Sequence, residues 1–208
     1  MPDFEIERRH LGAGHRLIAG VDEAGRGALC GPVVAAAVVL PSPWFDGPRP
    51  EWVGRIDDSK RLSPRRRELL ARAIRKDAAV GLGLASNVEI DALNVLRASQ
   101  EAMRRAVAAL PVLPDLVLVD GLAVREFPRP QEAVIHGDRR SFSIAAASIV
   151  AKVFRDRIMV RSGRRFPGYG MERHKGYGTR AHYEALALFG PTPFHRKSFN
   201  LQYQPKLF

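Results

Sequence analysis

A mixed α/β sheet is what this chain's residue pattern predicts, on three observations. Apolar, β-rich runs come first; helical periodicity then alternates with further apolar runs; and 208 residues suffice for one domain with a real core, or one carrying a smaller appendage. RLIAGVD reads as a short buried strand and GPVVAAAVVL as a second, joined by a turn containing Gly25 and Gly27. The Pro-rich PSPWFDGPRPEW reads as a surface loop. Ser63 as N-cap, with Pro64 at the first helical position, starts a helix through RRRELLARAIRK. VGLGLAS is the third strand, and the spacing of Ile90, Leu93, Leu96, Met103, Ala106, Val107 and Leu110 predicts helix from Glu89 to Leu110. DLVLVDG is a fourth strand, apolar throughout and therefore central, and EAVIHGD a fifth. From Ser141 to Met159, the residues Ile144, Ala147, Ala151, Phe154 and Ile158 form an apolar helical stripe. Ser141, Ser148, Lys152 and Arg155 share another face, suited equally to solvent or to phosphate and carboxylate. Beyond Gly163 the chain is rich in Gly, aromatic and basic residues, with one helix near Arg180 to Phe189. The expected division is therefore a sheet domain over 1–163 and a small helical segment over 164–208 that packs on it.

The formal charge of +11 points to a polyanionic partner. Cys30 is the only cysteine, which excludes a disulfide within the chain and fits a reducing cytoplasm. MPDFEIERRH lacks the apolar core of a signal peptide, and the longest apolar runs are too short to span a bilayer. A cytoplasmic protein with no membrane contact is expected, monomeric by default.

Two acids, Asp22 and Glu23, close the first strand, and Asp120 closes the fourth. Neighbouring parallel strands would set these ends side by side, and Asp138 in HGDRRS follows the next apolar segment to the same rim. Each acid has a plainer alternative. Asp120-Gly121 is a common turn pair, Asp138 can cap the next helix, and strand alternation points Asp22 and Glu23 to opposite faces unless the strand is ending. Four converging carboxylates repel unless cations bridge them, and oxygen-only ligation suits Mg²⁺ or Mn²⁺, not zinc. GRGALCG has the glycine spacing of a dinucleotide loop, but the strand-like PVVAAAVVL follows it where a helix is required.

Taken together, GVDEAGRGALCGPVV from Gly20, DSKRLS from Asp58, DALN from Asp91, LVDG from Leu118, GDRRSFSIAAASIVAKVFRDRIM from Gly137, HKGYGT from His174 and HRKSF from His195 resemble the type 2 ribonucleases H, the ribonuclease HII family. The resemblance implies an RNase H-like fold: a mixed five-stranded sheet flanked by helices, with a small C-terminal helical appendage. It implies endonucleolytic hydrolysis of RNA in RNA–DNA hybrids and nicking of duplex DNA 5′ of embedded ribonucleotides, single ones included. A two-metal mechanism with Mg²⁺ or Mn²⁺ would leave a 3′-hydroxyl and a 5′-phosphate. The family's four metal-binding catalytic acids fall on Asp22, Glu23, Asp120 and Asp138, with Asp22 bridging the ions. Its GRG loop, here Gly25, Arg26 and Gly27, reads the ribose 2′-hydroxyl through the backbone, which a side chain would obstruct. Its junction tyrosine falls on Tyr177, stacking on the sugar of the next deoxynucleotide; Tyr169 fits better as a packing aromatic. Lys60 and Lys152 would contact phosphates, and His136, His174 and His195 would be structural or phosphate-facing. No role is implied for the loop bearing Trp44 and Trp52.

The terminal QPKLF resembles the short peptide that binds the bacterial sliding clamp, through Gln204, Leu207 and Phe208; the alternative is that Leu207 and Phe208 fold back on the protein. A non-catalytic nucleic-acid binder would account for the charge but not the acids, and a phosphatase for the acids but not GRG with HKGYGT.

Overall fold

The five apolar runs form β1 (Ile18–Ala24), β2 (Val33–Val39), β3 (Ala79–Ala85), β4 (Leu116–Asp120) and β5 (Gln131–Val134) in a computed structural model that describes residues 1–202. They make one mixed sheet ordered β3-β2-β1-β4-β5. β1–β2 and β2–β3 are antiparallel; β1–β4 and β4–β5 are parallel. The helices are α1 (Glu5–Gly12), α2 (Pro64–Asp77), α3 (Asn87–Leu93), α4 (Val95–Ala108), α5 (Phe142–Arg165), α6 (Met171–His174) and α7 (Arg180–Phe189). Among the described residues, no helix is long and apolar enough to cross a membrane.

Period-two alternation distributes β1 to β4 between two cores. Ile18 of β1 and Leu116 and Leu118 of β4 join α2 and α5 in one core, whereas Ala19, Val21, Val117 and Val119 join α4 in the other. Backbones meet where glycine allows it. A Cβ on Gly20 of β1 would lie 2.1 Å from the Ser143 carbonyl carbon of α5, and Cβ atoms on Gly81 and Gly83 of β3 would strike α4 carbonyls. A third, smaller core joins Tyr169, Met171, Ala185 and Leu186 to Leu29, Cys30 and Met159.

Several elements depart from expectation. The helix expected from Glu89 to Leu110 is two helices, broken at Asn94, whose φ of 70° and ψ of 161° place it in a region that side chains other than glycine rarely adopt. Its Oδ1 accepts from the Leu96 and Arg97 N–H groups and restarts the helix, leaving Leu93 and Leu96 substantially exposed. The N-terminal half of α5 is buried on all sides, from Phe142 to Ala151, because it runs across the sheet. The polar face read there is therefore neither solvated nor a phosphate surface as a whole. Ser141 is its N-cap and meets Glu7, Ser148 meets Ser59, and Arg155 is fully buried; only Lys152 is partly open. The N-terminal helix was not anticipated, although Phe4, Ile6 and Glu7 are all buried. In the Pro-rich loop Trp44 and Trp52 meet edge to face at 5.7 Å and pack on the core, with Trp52 Nε1 donating to Asp77. Gln204, Leu207 and Phe208 lie outside the described residues.

Candidate active site

Val21 of β1 pairs with Val119 of β4, so the next residues, Asp22 and Asp120, emerge side by side. Alternation sends both to the α5 side, where Ser148 hydrogen-bonds Asp22 and in turn meets Ser59 at 3.0 Å. The Gly137 N–H donates to Asp120 Oδ1 at 2.7 Å, and Asp138 follows in the same turn. Glu23 should point away by alternation, but here the β1–β4 pairing has ended, and its carboxylate lies beside Arg26 at 3.2 Å. The structure brings together the ten predicted site residues that it describes. Asp22, Glu23, Asp120, Asp138, Gly25, Arg26, Gly27, Lys60, Lys152 and Tyr177 line one cavity of about 620 Å³.

Electrostatics distinguish the acids. Burial, then repulsion from Glu23 and Asp120, pushes the Asp22 carboxyl well above the usual range. Burial raises Glu23 against the pull of Arg26, and burial with Asp120 and Asp58 raises Asp138. Divalent cations reverse this balance, and the donor set, carboxylates only, fits hard ions such as Mg²⁺ and Mn²⁺. The residues present thus fit the implied metals.

The glycine loop is held from behind by two fully buried arginines that sequence reasoning had not placed there. Arg155 donates to the carbonyls of Pro32, Lys175 and Cys30, and Arg196 to those of Gly25, Arg26 and Gly31. Gly25 has φ +101°, and a Cβ there would lie 1.9 Å from Arg155 Nε, whereas Gly27 faces open space. The glycine requirement at Gly25 therefore comes from the protein behind the loop. The only signal for Arg196 was its place in HRKSF. Tyr177 is bridged to Ala28 by backbone pairing, and Lys152 and Arg155 lie 5.5 and 5.3 Å from its ring centre. Asp58 of the DSK segment is buried and binds Arg139, the neighbour of Asp138, which fixes the loop carrying Lys60.

Tyr169 is a packing aromatic, its hydroxyl donating to the Gly190 carbonyl at 2.6 Å. Two of the histidines pack rather than face the acids. His174 stacks on His182 at 4.3 Å, and His182 meets buried His195. Cys30, His182 and His195 also bring their ligand atoms within 4.8 Å of one another. Hydrogen bonding already satisfies the two imidazoles. The Thr192 N–H donates to His195 Nδ1, which leaves the proton on Nε2; this donates to His182 Nε2, whose Nδ1–H reaches the Tyr177 carbonyl. With the Arg155 and Arg196 guanidiniums beside Cys30, a further cation here is disfavoured.

This relay needs neutral rings, and burial holds His182 down at about 4 against an ordinary 6.5. A depressed imidazole stabilises the fold fully above pH 6.5 and loses that contribution as pH falls towards 4, on the order of 2–3 kcal/mol. Denaturant unfolding between pH 7.5 and 4.5 should show wild type losing stability more steeply than His182→Asn; parallel curves would refute it.

A second groove shares Lys152 and Tyr177 with the cavity and is lined by seven cationic side chains against Glu68 and Asp156. Hard-ligand carboxylates on a strand rim, opening into a track for polyanions, define a metal-dependent nuclease of RNase H-like fold. Comparison with known proteins takes the class to a family. Residues 19–202 match the family model of ribonuclease HII. Ribonuclease HII of Granulibacter bethesdensis is 51% identical over 203 residues, covering 97% of this chain and 90% of the relative. That of Maricaulis maris is 56% identical over 183 residues, covering 88% and 81%. The RNase HII of Archaeoglobus fulgidus, solved in complex with PCNA, superposes with a TM-score of 0.73 at 27% identity, covering 91% of this chain and 98% of that one. The chain belongs to the ribonuclease HII family, metal-dependent endonucleases that hydrolyse RNA in RNA–DNA hybrids.

Proposed function

We propose that this chain, besides cutting RNA in hybrids, nicks duplex DNA 5′ of embedded ribonucleotides, single ones included, with Asp22, Glu23, Asp120 and Asp138 holding two divalent ions. The observation that carries the reading is one cavity in which the carboxylate rim, the Gly25–Gly27 backbone and the Tyr177 ring face the same space. Bound Mg²⁺ or Mn²⁺ would supply an activated water and neutralise charge on the leaving oxygen. The chain's own groups then select and orient. Open space before Gly27 lets a ribose approach the loop backbone closely enough for its 2′-hydroxyl to be read. Tyr177, clamped by its bridge to Ala28, offers a ring for the following deoxyribose, which makes the segment from 164 onward part of the substrate site. Lys60 and Lys152 bind flanking phosphates, with Lys152 held by Asp156 at 2.7 Å. His174 and His195, engaged in backbone bonds, take no part in proton transfer.

A duplex with one embedded ribonucleotide, an all-DNA twin and an RNA–DNA hybrid test this. Wild type should nick 5′ of the lone ribonucleotide and leave all-DNA intact. Tyr177→Ala should slow that nicking by ~10–100-fold, the value of one stacked ring, and slow hybrid cleavage less. Equal loss on both substrates would remove Tyr177 as the junction reader, and no nicking of the lone ribonucleotide by wild type would restrict the enzyme to hybrids.

Because the Archaeoglobus relative was solved with PCNA, we also propose that Gln204–Phe208 docks on the bacterial sliding clamp, Leu207 and Phe208 filling an apolar pocket. Deleting Gln204–Phe208 should abolish retention on immobilised clamp with nuclease activity intact; unchanged retention would end the idea.

A further inference from the structure

The family match begins at residue 19, yet residues before it contact the segment that joins the Asp138 turn to α5. We propose that Glu7, on α1, is a positioning residue that fixes the turn carrying Asp138 and bracing Asp120. It rests on the assignment of those two acids as metal ligands.

Glu7 is fully buried, and its Oε1 accepts from the Ser141 hydroxyl at 2.7 Å and the Ser143 N–H at 2.9 Å. The first bond points the Ser141 lone pair at the Ile144 N–H, so Glu7 sets the N-cap of α5. Ser141 and Arg140 both donate backbone N–H groups to the Gly137 carbonyl, closing the turn that contains Asp138. Gly137 donates its own N–H to Asp120 Oδ1, and a Cβ at Gly137 would strike Ile144 of α5. Glu7, α5, the turn and both acids thus form one contact chain without a flexible link.

Neighbouring N-terminal residues hold the flanks of the same segment. Asp3 brackets it, with the Phe142 N–H donating to the Asp3 carbonyl at 3.0 Å. One turn on, Arg9 and His10 bind Glu132 of β5 at 2.6 and 2.7 Å. Residues 3–10 therefore engage the chain on both sides of residues 135–141, the connection on which Asp138 rides. The carboxylate also faces the N-terminus of a 24-residue helix, which favours a negative charge there. Its second oxygen, Glu7 Oε2, and the nearby Ser143 Oγ are buried without a hydrogen-bond partner. Apolar filling would avoid that cost, about 1–3 kcal/mol, so packing alone does not account for an acid here.

Mn²⁺ binding to the full chain without nucleic acid, followed by titration calorimetry, separates positioning from general stability. Glu7→Ala and Ser141→Ala should each raise the Mn²⁺ Kd by about tenfold, the low end for residues behind metal ligands. Glu7→Gln should bind near wild type, because its carbonyl oxygen still accepts both bonds. Ser86→Ala removes an equivalent helix N-cap at α3, away from the acids, and should leave Mn²⁺ binding unchanged. Wild-type affinity in folded Glu7→Ala would overturn the proposal, as would Glu7→Gln binding as weakly as Glu7→Ala, or equal weakening in Ser86→Ala. If Glu7→Ala does not fold, Ser141→Ala against Ser86→Ala decides alone. Asp138→Asn serves as the reference: if it binds Mn²⁺ like wild type, the metal assignment fails and the proposal with it. If Asp138→Asn is weak while Glu7→Ala is normal, only the positioning role falls.

Discussion

Gly20→Ala should lower the melting temperature by about 10 °C. The added methyl would sit 2.1 Å from the Ser143 carbonyl carbon and 2.3 Å from the Ile144 nitrogen, both backbone atoms of α5. No rotamer change relieves such a contact, so helix and strand must separate along the interface that builds the larger core. Overpacking of this kind costs about 3 kcal/mol or more, and each kcal/mol moves the midpoint by roughly 2–4 °C at this chain length. The same movement would carry Ser143 away from Glu7 and displace Asp22, two residues further along β1, so activity should fall with stability. Gly12→Ala is the matched control, because a Cβ there meets nothing within 4 Å. Calorimetric melts of the two variants decide the matter: a Gly20→Ala midpoint within 2 °C of wild type would mean that α5 does not rest on β1 as described.

Asp22→Asn should abolish cleavage, by ~10³-fold or more, while making the protein more stable without added metal. The carboxylate is buried and faces Glu23 and Asp120, so in its charged form it works against the fold. An amide of nearly the same shape removes that repulsion and still accepts a hydrogen bond from Ser148. Adding Mg²⁺ should then reverse the order of melting temperatures. Binding to the folded wild type alone stabilises it by about 2.7 kcal/mol at one hundred times Kd, and the variant should gain far less. Melts with and without Mg²⁺ read this without any nucleic acid. A variant that melts lower than wild type in the absence of metal would show that Asp22 supports the fold, and the reading of the rim as an ion site would lose its main electrostatic argument.

Much of this was open to reading in the chain itself. Short continuous apolar runs located the five strands, and Ser63-Pro64 placed the start of α2. The acids at two strand ends and the motifs shared with ribonuclease HII then picked out ten residues that line one cavity. Such features are local: a strand's alternation, a cap, or a motif is complete within a few residues. What the chain alone left open depends on contacts between distant segments. Asn94 breaks a periodic helix because its backbone leaves the helical conformation and its side chain caps α4, a choice that periodicity does not record. Arg155 reads on a helical wheel as a cation for solvent or for phosphate, yet three carbonyls from two other segments surround it. Glu7 is one acid among several in a charged N-terminus until α5 is laid beside it. Residue type and spacing set strands, caps and the oxygen ligands at the rim, since these follow from backbone geometry and side-chain chemistry over short range. Which buried charge braces which acid was settled by folding, because a guanidinium or carboxylate takes its role from partners more than a hundred residues away.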